Sequence, residues 1–156
     1  MDANLRGTPR ILMVCLGNIC RSPMAQGALE HAAAAHGLKL HVDSAGTSGW
    51  HMGDQPDPRA IDAAARRGYA IAGQRARGVT VEDFTAFDLM LAMDAANLTA
   101  LRSRAPADAT ARIRRLLPDL DVPDPYYDGP AQFDEALDLI ERGVAALLRE
   151  LAPKIR

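Results

Sequence analysis

The apolar run at residues 10–14 has no helical period and passes directly into a turn containing Gly17 and Asn18, a pattern that predicts a buried strand. Pro23 then stands where proline favours the first turn of a helix, and the strong helix formers at 24–35 continue that helix to Gly37. Residues 40–43 read as a second strand. The stretch 44–58 is rich in Gly, Pro, Ser and Asp and reads as a long surface loop. A short helix over 59–67 closes at Gly68, and Thr80-Val81-Glu82-Asp83 has the Thr-x-x-Asp form of a helix start. Residues 87–93 predict a third strand, 94–101 a helix, and 113–117 a fourth strand, followed by a proline- and aspartate-rich loop over 118–130. The last element is the most regular. Phe133, Leu137, Ile140, Val144, Leu147, Leu148 and Leu151 recur at three- and four-residue spacing and form one stripe of an amphipathic helix over 131–151.

Strands alternating with helices imply right-handed crossovers and a parallel sheet covered on both faces, hence an α/β fold of three layers, α/β/α. In such sheets ligands bind beyond the carboxyl ends of the strands, where the loops after strands one, two and four come together. A chain of 156 residues with neither repeat nor low-complexity linker is expected to form one domain, here 10–156, preceded by a flexible extension over 1–9. Hydrophobic residues at 48% and charged residues at 24% exclude a disordered chain and a disulfide scaffold. A formal charge of -2 gives no basic field for nucleic acid or an anionic membrane, so any anionic substrate must be held by local groups. The first nine residues lack the basic-then-apolar design of a secretory signal, no run reaches membrane-span length, and a cytoplasmic location is expected. Cys15 and Cys20 would close only a tiny loop, which suits reduced thiols better than a structural disulfide.

The candidate chemistry lies in Val14-Cys15-Leu16-Gly17-Asn18-Ile19-Cys20-Arg21-Ser22-Pro23, the link between the first strand and the first helix. Amides of residues 16–22 can turn inward there, with the helix N-terminus aimed at their centre, an arrangement suited to a tetrahedral dianion. Gly17 and Asn18 tolerate the left-handed backbone such a nest requires, and Arg21 offers a planar fork of donors to two phosphate oxygens. Cys15 faces the same cradle, where the helix dipole and the Arg21 charge favour a thiolate, and the Ser22 hydroxyl is placed to donate to the sulfur. A nucleotide-binding loop is excluded because Gly-x-x-x-x-Gly-Lys-Ser/Thr fails: Ser22 takes the second glycine's place and no lysine follows. Buried structural cysteine is the ordinary reading of an isolated Cys at a strand end, but Arg21 in the same loop favours nucleophile, cradle and clamp together.

This loop resembles the signature loop of the low-molecular-weight protein tyrosine phosphatases. Asp43-Ser44-Ala45-Gly46-Thr47, Trp50, Pro56-Asp57-Pro58-Arg59, Ala92-Met93-Asp94 with Asn97-Leu98, and Asp124-Pro125-Tyr126-Tyr127 resemble that family in the same order, so the similarity spans roughly 10–152. The resemblance implies a Rossmann-like four-stranded parallel sheet of order 2-1-3-4 and metal-independent hydrolysis of phosphotyrosine through a phosphocysteine. It implies no cofactor and no metal, and its partner is a phosphotyrosine-containing protein, with a tyrosine kinase one candidate. A monomer or weak self-association is expected.

An aryl oxide leaves more readily when protonated, so a carboxylic acid must reach the cradle from another loop. Asp124, stiffened by Pro123 and Pro125, shares its loop with Asp119, Asp121 and Asp128, and the family's Asp-Pro-Tyr-Tyr motif selects Asp124. Trp50, Tyr126 and Tyr127 fall in loops on the active edge and form candidate walls for a flat aryl phosphate, a role the family implies; covering the sheet end is the alternative for one tyrosine. Asn18, Ser44 and Asp94 are candidates for bonds that hold the signature loop in shape, as similar positions do in the family, with capping and turn roles as the alternative. Gln74 stands where many relatives carry histidine, and Asp128 precedes Gly129 where relatives often have glycine directly after the tyrosines. His31, His36, His41 and His51 show no metal spacing and read as surface or packing residues. Cys20 inside the loop allows a reversible Cys15–Cys20 disulfide that shields the nucleophile. An arsenate reductase on the same fold would need further cysteines, and none follows Cys20; a non-catalytic phosphate-binding module would leave Cys15 and Asp124 idle.

Overall fold

The structure, a computed structural model, describes residues 7–154. Of the expected N-terminal extension, residues 1–6 lie outside the described residues, whereas Pro9 is buried and its carbonyl accepts from the His41 amide at 2.8 Å. The ordered fold thus begins at or before Pro9.

Four parallel strands form one sheet: β1 Arg10–Cys15, β2 His41–Gly46, β3 Leu89–Ala92 and β4 Arg112–Arg115, in spatial order 2-1-3-4. The helices are α1 Arg21–Ala35, α2 Pro58–Ala65, α3 Asp83–Ala86, α4 Ala95–Arg104 and α5 Pro130–Leu151. The continuous apolar run of β1 follows from its place in the sheet. Ile11, Met13 and Cys15 point into a core shared with α1, α2 and α5, and Leu12 and Val14 into a second core shared with Phe84 and Leu101 of α3 and α4. A strand covered on both faces has no side that water can reach, so polar alternation disappears.

The apolar stripe of α5 is buried as its spacing requires, from Phe133 through Leu151, each large side chain contributing about 1.5–3 kcal/mol. On α1 the fit is closer still: a Cβ on Gly27 would lie 2.5 Å from the Ile71 side chain, so only glycine lets that segment approach.

Several boundaries differ from the sequence expectation. β2 runs three residues further, through Ser44, Ala45 and Gly46, because β1 offers Met13, Val14 and Cys15 as ladder partners; the pairing overrides turn-prone residue types. α1 begins at Arg21, with Pro23 as its third residue, where the missing N–H has no intrahelical partner to lose. β3 is shorter than expected, and β4 starts at Arg112 and ends at Arg115. As an edge strand, β4 tolerates three arginines, and such charge discourages pairing with another chain. The Thr80 start produces only a turn before the four-residue α3: Asp83 accepts from the Thr80 amide at 2.8 Å, one arm of the expected capping arrangement.

Tyr69 follows α2 and donates its hydroxyl to Glu141 of α5, beside Arg67, which also pairs with Glu141 at 2.8 Å. Burial, then the bond to Glu141 and its charge, push the Tyr69 phenol up to about 12. The protonated phenol is the favoured form, so its contribution to stability is complete below the ordinary tyrosine pKa of about 10 and is lost as pH rises towards 12. Ultraviolet titration is expected to show a late tyrosine ionisation that is missing in Tyr69→Phe. The urea midpoints of wild type and Tyr69→Phe should differ below about pH 10 and converge above it.

Candidate active site

β1 delivers Cys15 to the carboxyl edge of the sheet, and residues 16–20 turn back into the start of α1. The carbonyls of this loop are used on its outer side. Cys15 O accepts from Thr47, Leu16 O from Ser48, Ile19 O from Asp57 and Cys20 O from Met24. Among the described residues, the amides of Leu16, Gly17, Ile19, Cys20, Arg21 and Ser22 donate to no protein acceptor. A set of amides left over at a helix N-terminus is a ready site for an oxyanion.

The sulfur of Cys15 is fixed from two sides. The Asn18 amide donates to it at 3.3 Å, and the Ser22 hydroxyl lies 3.0 Å away. Asn18 is the one described non-glycine residue with a left-handed backbone, φ 58°, a conformation Asn adopts more readily than most residues. Its side-chain oxygen accepts from the Arg77 amide at 3.0 Å, which orients the Nδ2 group to donate to Ser22 Oγ at 2.8 Å and Ser44 Oγ at 2.9 Å. Ser44 in turn donates to Gln26 at 2.8 Å. With its oxygen already receiving a bond from Asn18, Ser22 is free to direct its own proton at the sulfur. Gly46 makes room for this loop: a Cβ there would lie 2.6 Å from the Leu16 carbonyl oxygen.

Arg21 is 2% exposed. Its Nη1 donates to Asp94 at 2.6 Å and to the Val122 carbonyl at 2.9 Å, and its Nη2 approaches Asp124 at 3.6 Å. Although burial works against the charge, the negative surroundings of Cys15, Asp94 and Asp124 hold the guanidinium above its ordinary pKa. Asp94 also caps α4, accepting from the Asn97 amide at 2.7 Å. One oxygen of Asp94 thus caps α4 and the other holds Arg21.

Asp124 sits beyond β4, with one carboxylate oxygen accepting from the Tyr126 amide at 3.1 Å. Asp124, Trp50, Tyr126 and Tyr127 line one small cleft with Cys15, Leu16, Gly17, Ile19, Cys20 and Arg21. The aromatic walls are open: Trp50 is 80% and Tyr127 92% exposed, while Tyr126 is half-buried and meets Tyr127 edge to face at 4.9 Å. Asp119, Asp121 and Asp128 do not line it, and Asp121 is occupied with Arg115 at 2.8 Å. His51, expected as a surface or packing residue, stands at the cleft's mouth against Gly17 and 3.4 Å from Asp54.

The two cysteines differ. Both are free and buried, yet burial, followed by the charges of Asp57, Cys15 and Asp124, pushes the Cys20 thiol far up, so Cys20 stays protonated. Gln74, at the position of departure from the family, donates to the Pro23 carbonyl at 3.1 Å, which supports the first turn of α1 and not the loop itself. Arg59, Asp57 and Gln26 also belong to this neighbourhood. Only the surrounding motif Pro56-Asp57-Pro58-Arg59 pointed to the first two, and nothing in the sequence singled out Gln26. Among the described residues no group of three or more His, Cys, Asp or Glu could hold a metal ion, and no helix is long and apolar enough to cross a membrane.

A buried cysteine, a buried arginine and a set of amides without a protein acceptor, gathered between the first strand and first helix of a 2-1-3-4 parallel sheet, fit the class of small protein-tyrosine phosphatases. Residues 10–156 match the family of low molecular weight phosphotyrosine protein phosphatases, and the chain belongs to that family. It is 45% identical over 149 residues to the low molecular weight protein-tyrosine-phosphatase YfkJ of Bacillus subtilis, covering 90% of this chain and 94% of the relative. It is 46% identical to low molecular weight phosphotyrosine protein phosphatase 2 of Drosophila melanogaster, covering 80% and 81%. The crystal structure of a protein tyrosine phosphatase from Entamoeba histolytica with Hepes in its active site superposes with a TM-score of 0.88 at 35% identity, covering 94% of this chain and 98% of that one.

Asn18 joins four segments, so Asn18→Ala is expected to cost about 1–3 kcal/mol through the buried groups it leaves unpaired and to lower kcat/KM about tenfold or more through a loosened loop. Asn18→Gly, which relieves the left-handed backbone, should regain about 1 kcal/mol of stability without regaining rate. Urea unfolding and steady-state kinetics on the three proteins check both outcomes.

Proposed function

We propose that this phosphatase hydrolyses phosphotyrosine in proteins through a phosphocysteine on Cys15. The observation that carries the proposal is the convergence of Cys15, Arg21 and Asp124 on one cleft whose loop amides, Asn18 apart, donate to no protein acceptor among the described residues. The phosphoryl group seats with its equatorial oxygens on those amides and on the Arg21 guanidinium, which leaves the sulfur in line with the tyrosine oxygen. The thiolate attacks phosphorus, the P–O bond to the phenol breaks, and Asp124 supplies the proton the leaving phenolate takes. Asp124, now a carboxylate, takes a proton from water as water attacks phosphorus and the P–S bond breaks. Inorganic phosphate leaves and the thiolate is restored. Ser22, 3.0 Å from the sulfur, stabilises the departing thiolate in this second step.

Trp50, Tyr126 and Tyr127 supply apolar contact to the phenyl ring once a substrate docks, because open side chains at the mouth lose water only then. A cytoplasmic, metal-independent enzyme acting as a monomer or weak self-associating species fits these features, with reduced thiols at Cys15 and Cys20 and a phosphotyrosine protein, such as a tyrosine kinase, as partner.

Cys15→Ser is expected to abolish turnover of phenyl phosphate, and Asp124→Ala to lower it about 10²–10⁴-fold, while EDTA leaves the wild type unchanged. Rapid mixing with 4-nitrophenyl phosphate should show a burst equal to the enzyme concentration. Undiminished turnover by Cys15→Ser, or loss of activity in EDTA, would sink the scheme.

A further inference from the structure

Residues 124–128 are joined to other elements by few bonds. The Tyr126 amide donates within the loop to Asp124, and the Asp128 amide donates within it to the Pro125 carbonyl at 2.9 Å. Among the described residues, apart from the 3.6 Å approach of Arg21 to Asp124, the polar links from this loop to another element come from one side chain, Arg59 at the start of α2. Its Nη2 donates to the Tyr126 carbonyl at 2.8 Å and its Nη1 to the Asp128 carbonyl at 2.7 Å. The guanidinium also lies over the Phe133 ring of α5, with 4.6 Å from Cζ to the centroid.

The other side of the same fork is held by Asp57. Arg59 Nε donates to Oδ1 at 3.0 Å and Nη2 to Oδ2 at 2.9 Å, while Oδ1 also caps α2 through the Arg59 amide at 2.9 Å. The Asp57 amide in turn donates to Ile19 O in the phosphate loop at 2.8 Å. A continuous path of bonds therefore runs from the phosphate loop through Asp57 and Arg59 to the peptide of Tyr126, whose other end holds the Asp124 carboxylate.

We infer that Arg59 is a positioning residue for the general acid: it sets the distance between Asp124 and the phosphate loop by gripping the residue that orients the Asp124 carboxylate. This inference rests on Asp124 being the proton donor. The planar fork is essential, because carboxylate and two carbonyls are reached together in one plane, and a lysine ammonium cannot span them. Misplacement of a catalytic group by about 1 Å is enough to cost up to about 10²-fold in rate. Arg59 does not line the cleft that holds the Cys15 sulfur, so its loss should be felt through the loop it grips, above all through Asp124.

The test compares kcat/KM for phenyl phosphate, whose leaving group needs a proton, with that for 4-nitrophenyl phosphate, whose leaving group needs it much less. Wild type, Arg59→Lys, Asp57→Asn, Asp124→Ala and the Arg59→Lys/Asp124→Ala double variant are compared, with folding checked by circular dichroism. Asp57→Asn loosens the same tie from its other end and serves if Arg59→Lys folds poorly. The expected result is a loss of about 10–100-fold on phenyl phosphate with a much smaller loss on 4-nitrophenyl phosphate, and no further loss when Arg59→Lys is added to Asp124→Ala. Equal losses on both substrates, or losses that multiply in the double variant, would overturn the positioning role while leaving Asp124 as the acid. If Asp124→Ala itself shows no dependence on the leaving group, the acid assignment fails and the inference with it.

Discussion

A guanidinium buried to 2% exposure organises the carboxyl edge of this sheet. An unpaired buried charge is among the most costly features a fold can contain, and removing one partner of a buried pair typically costs about 3–5 kcal/mol. Arg21 avoids that cost by drawing in two segments: Asp94, between β3 and α4, and the loop after β4, through the Val122 carbonyl and Asp124. Two donors on Nη1 are spent on structure, which leaves the face of Nη2 turned towards the cleft and Asp124. The proposed phosphate clamp and the joint that gathers the loops are thus one side chain.

The loop that Arg21 closes is preorganised before any anion arrives. Its carbonyls are taken up by Thr47, Ser48, Asp57 and Met24, so the amides have one direction left to serve. Asn18 accepts a strained backbone and offsets it with bonds to Ser22, Ser44 and Arg77, tying β2 and the segment after α2 to the loop. Such a nest costs little reorganisation when charge develops on a phosphoryl oxygen, which is where electrostatic catalysis gains most. Cys20, five residues from Cys15, is held protonated within the same loop by burial and neighbouring negative charges.

Much of this was legible in the residues. The β1 run, the αβ alternation and the α5 stripe reported the sheet and its covering because periodicity records which faces are dry. That Cys15, Arg21 and Ser22 come together was legible because one short loop between a strand and a helix carries all three. The extension of β2 through Ser44–Gly46 was not, since it depends on a partner strand thirty residues away and not on local propensity. Arg59 and Gln26 were hidden for a similar reason: an arginine in a helix's first turn and a glutamine on a helix face look like solvated residues until distant backbone comes to meet them. Asp94 showed both its roles only in three dimensions, one oxygen capping α4 and the other holding Arg21.

The account turns on one sulfur, that of Cys15, seated among the loop amides. Its most direct test is alkylation by iodoacetate at neutral pH, with inorganic phosphate as the protecting ligand and mass spectrometry to locate the label. The account predicts rapid labelling of Cys15 that phosphate suppresses and that leaves Cys20 unmodified. Labelling of Cys15 that phosphate does not slow, or labelling that falls on Cys20 as readily, would contradict it.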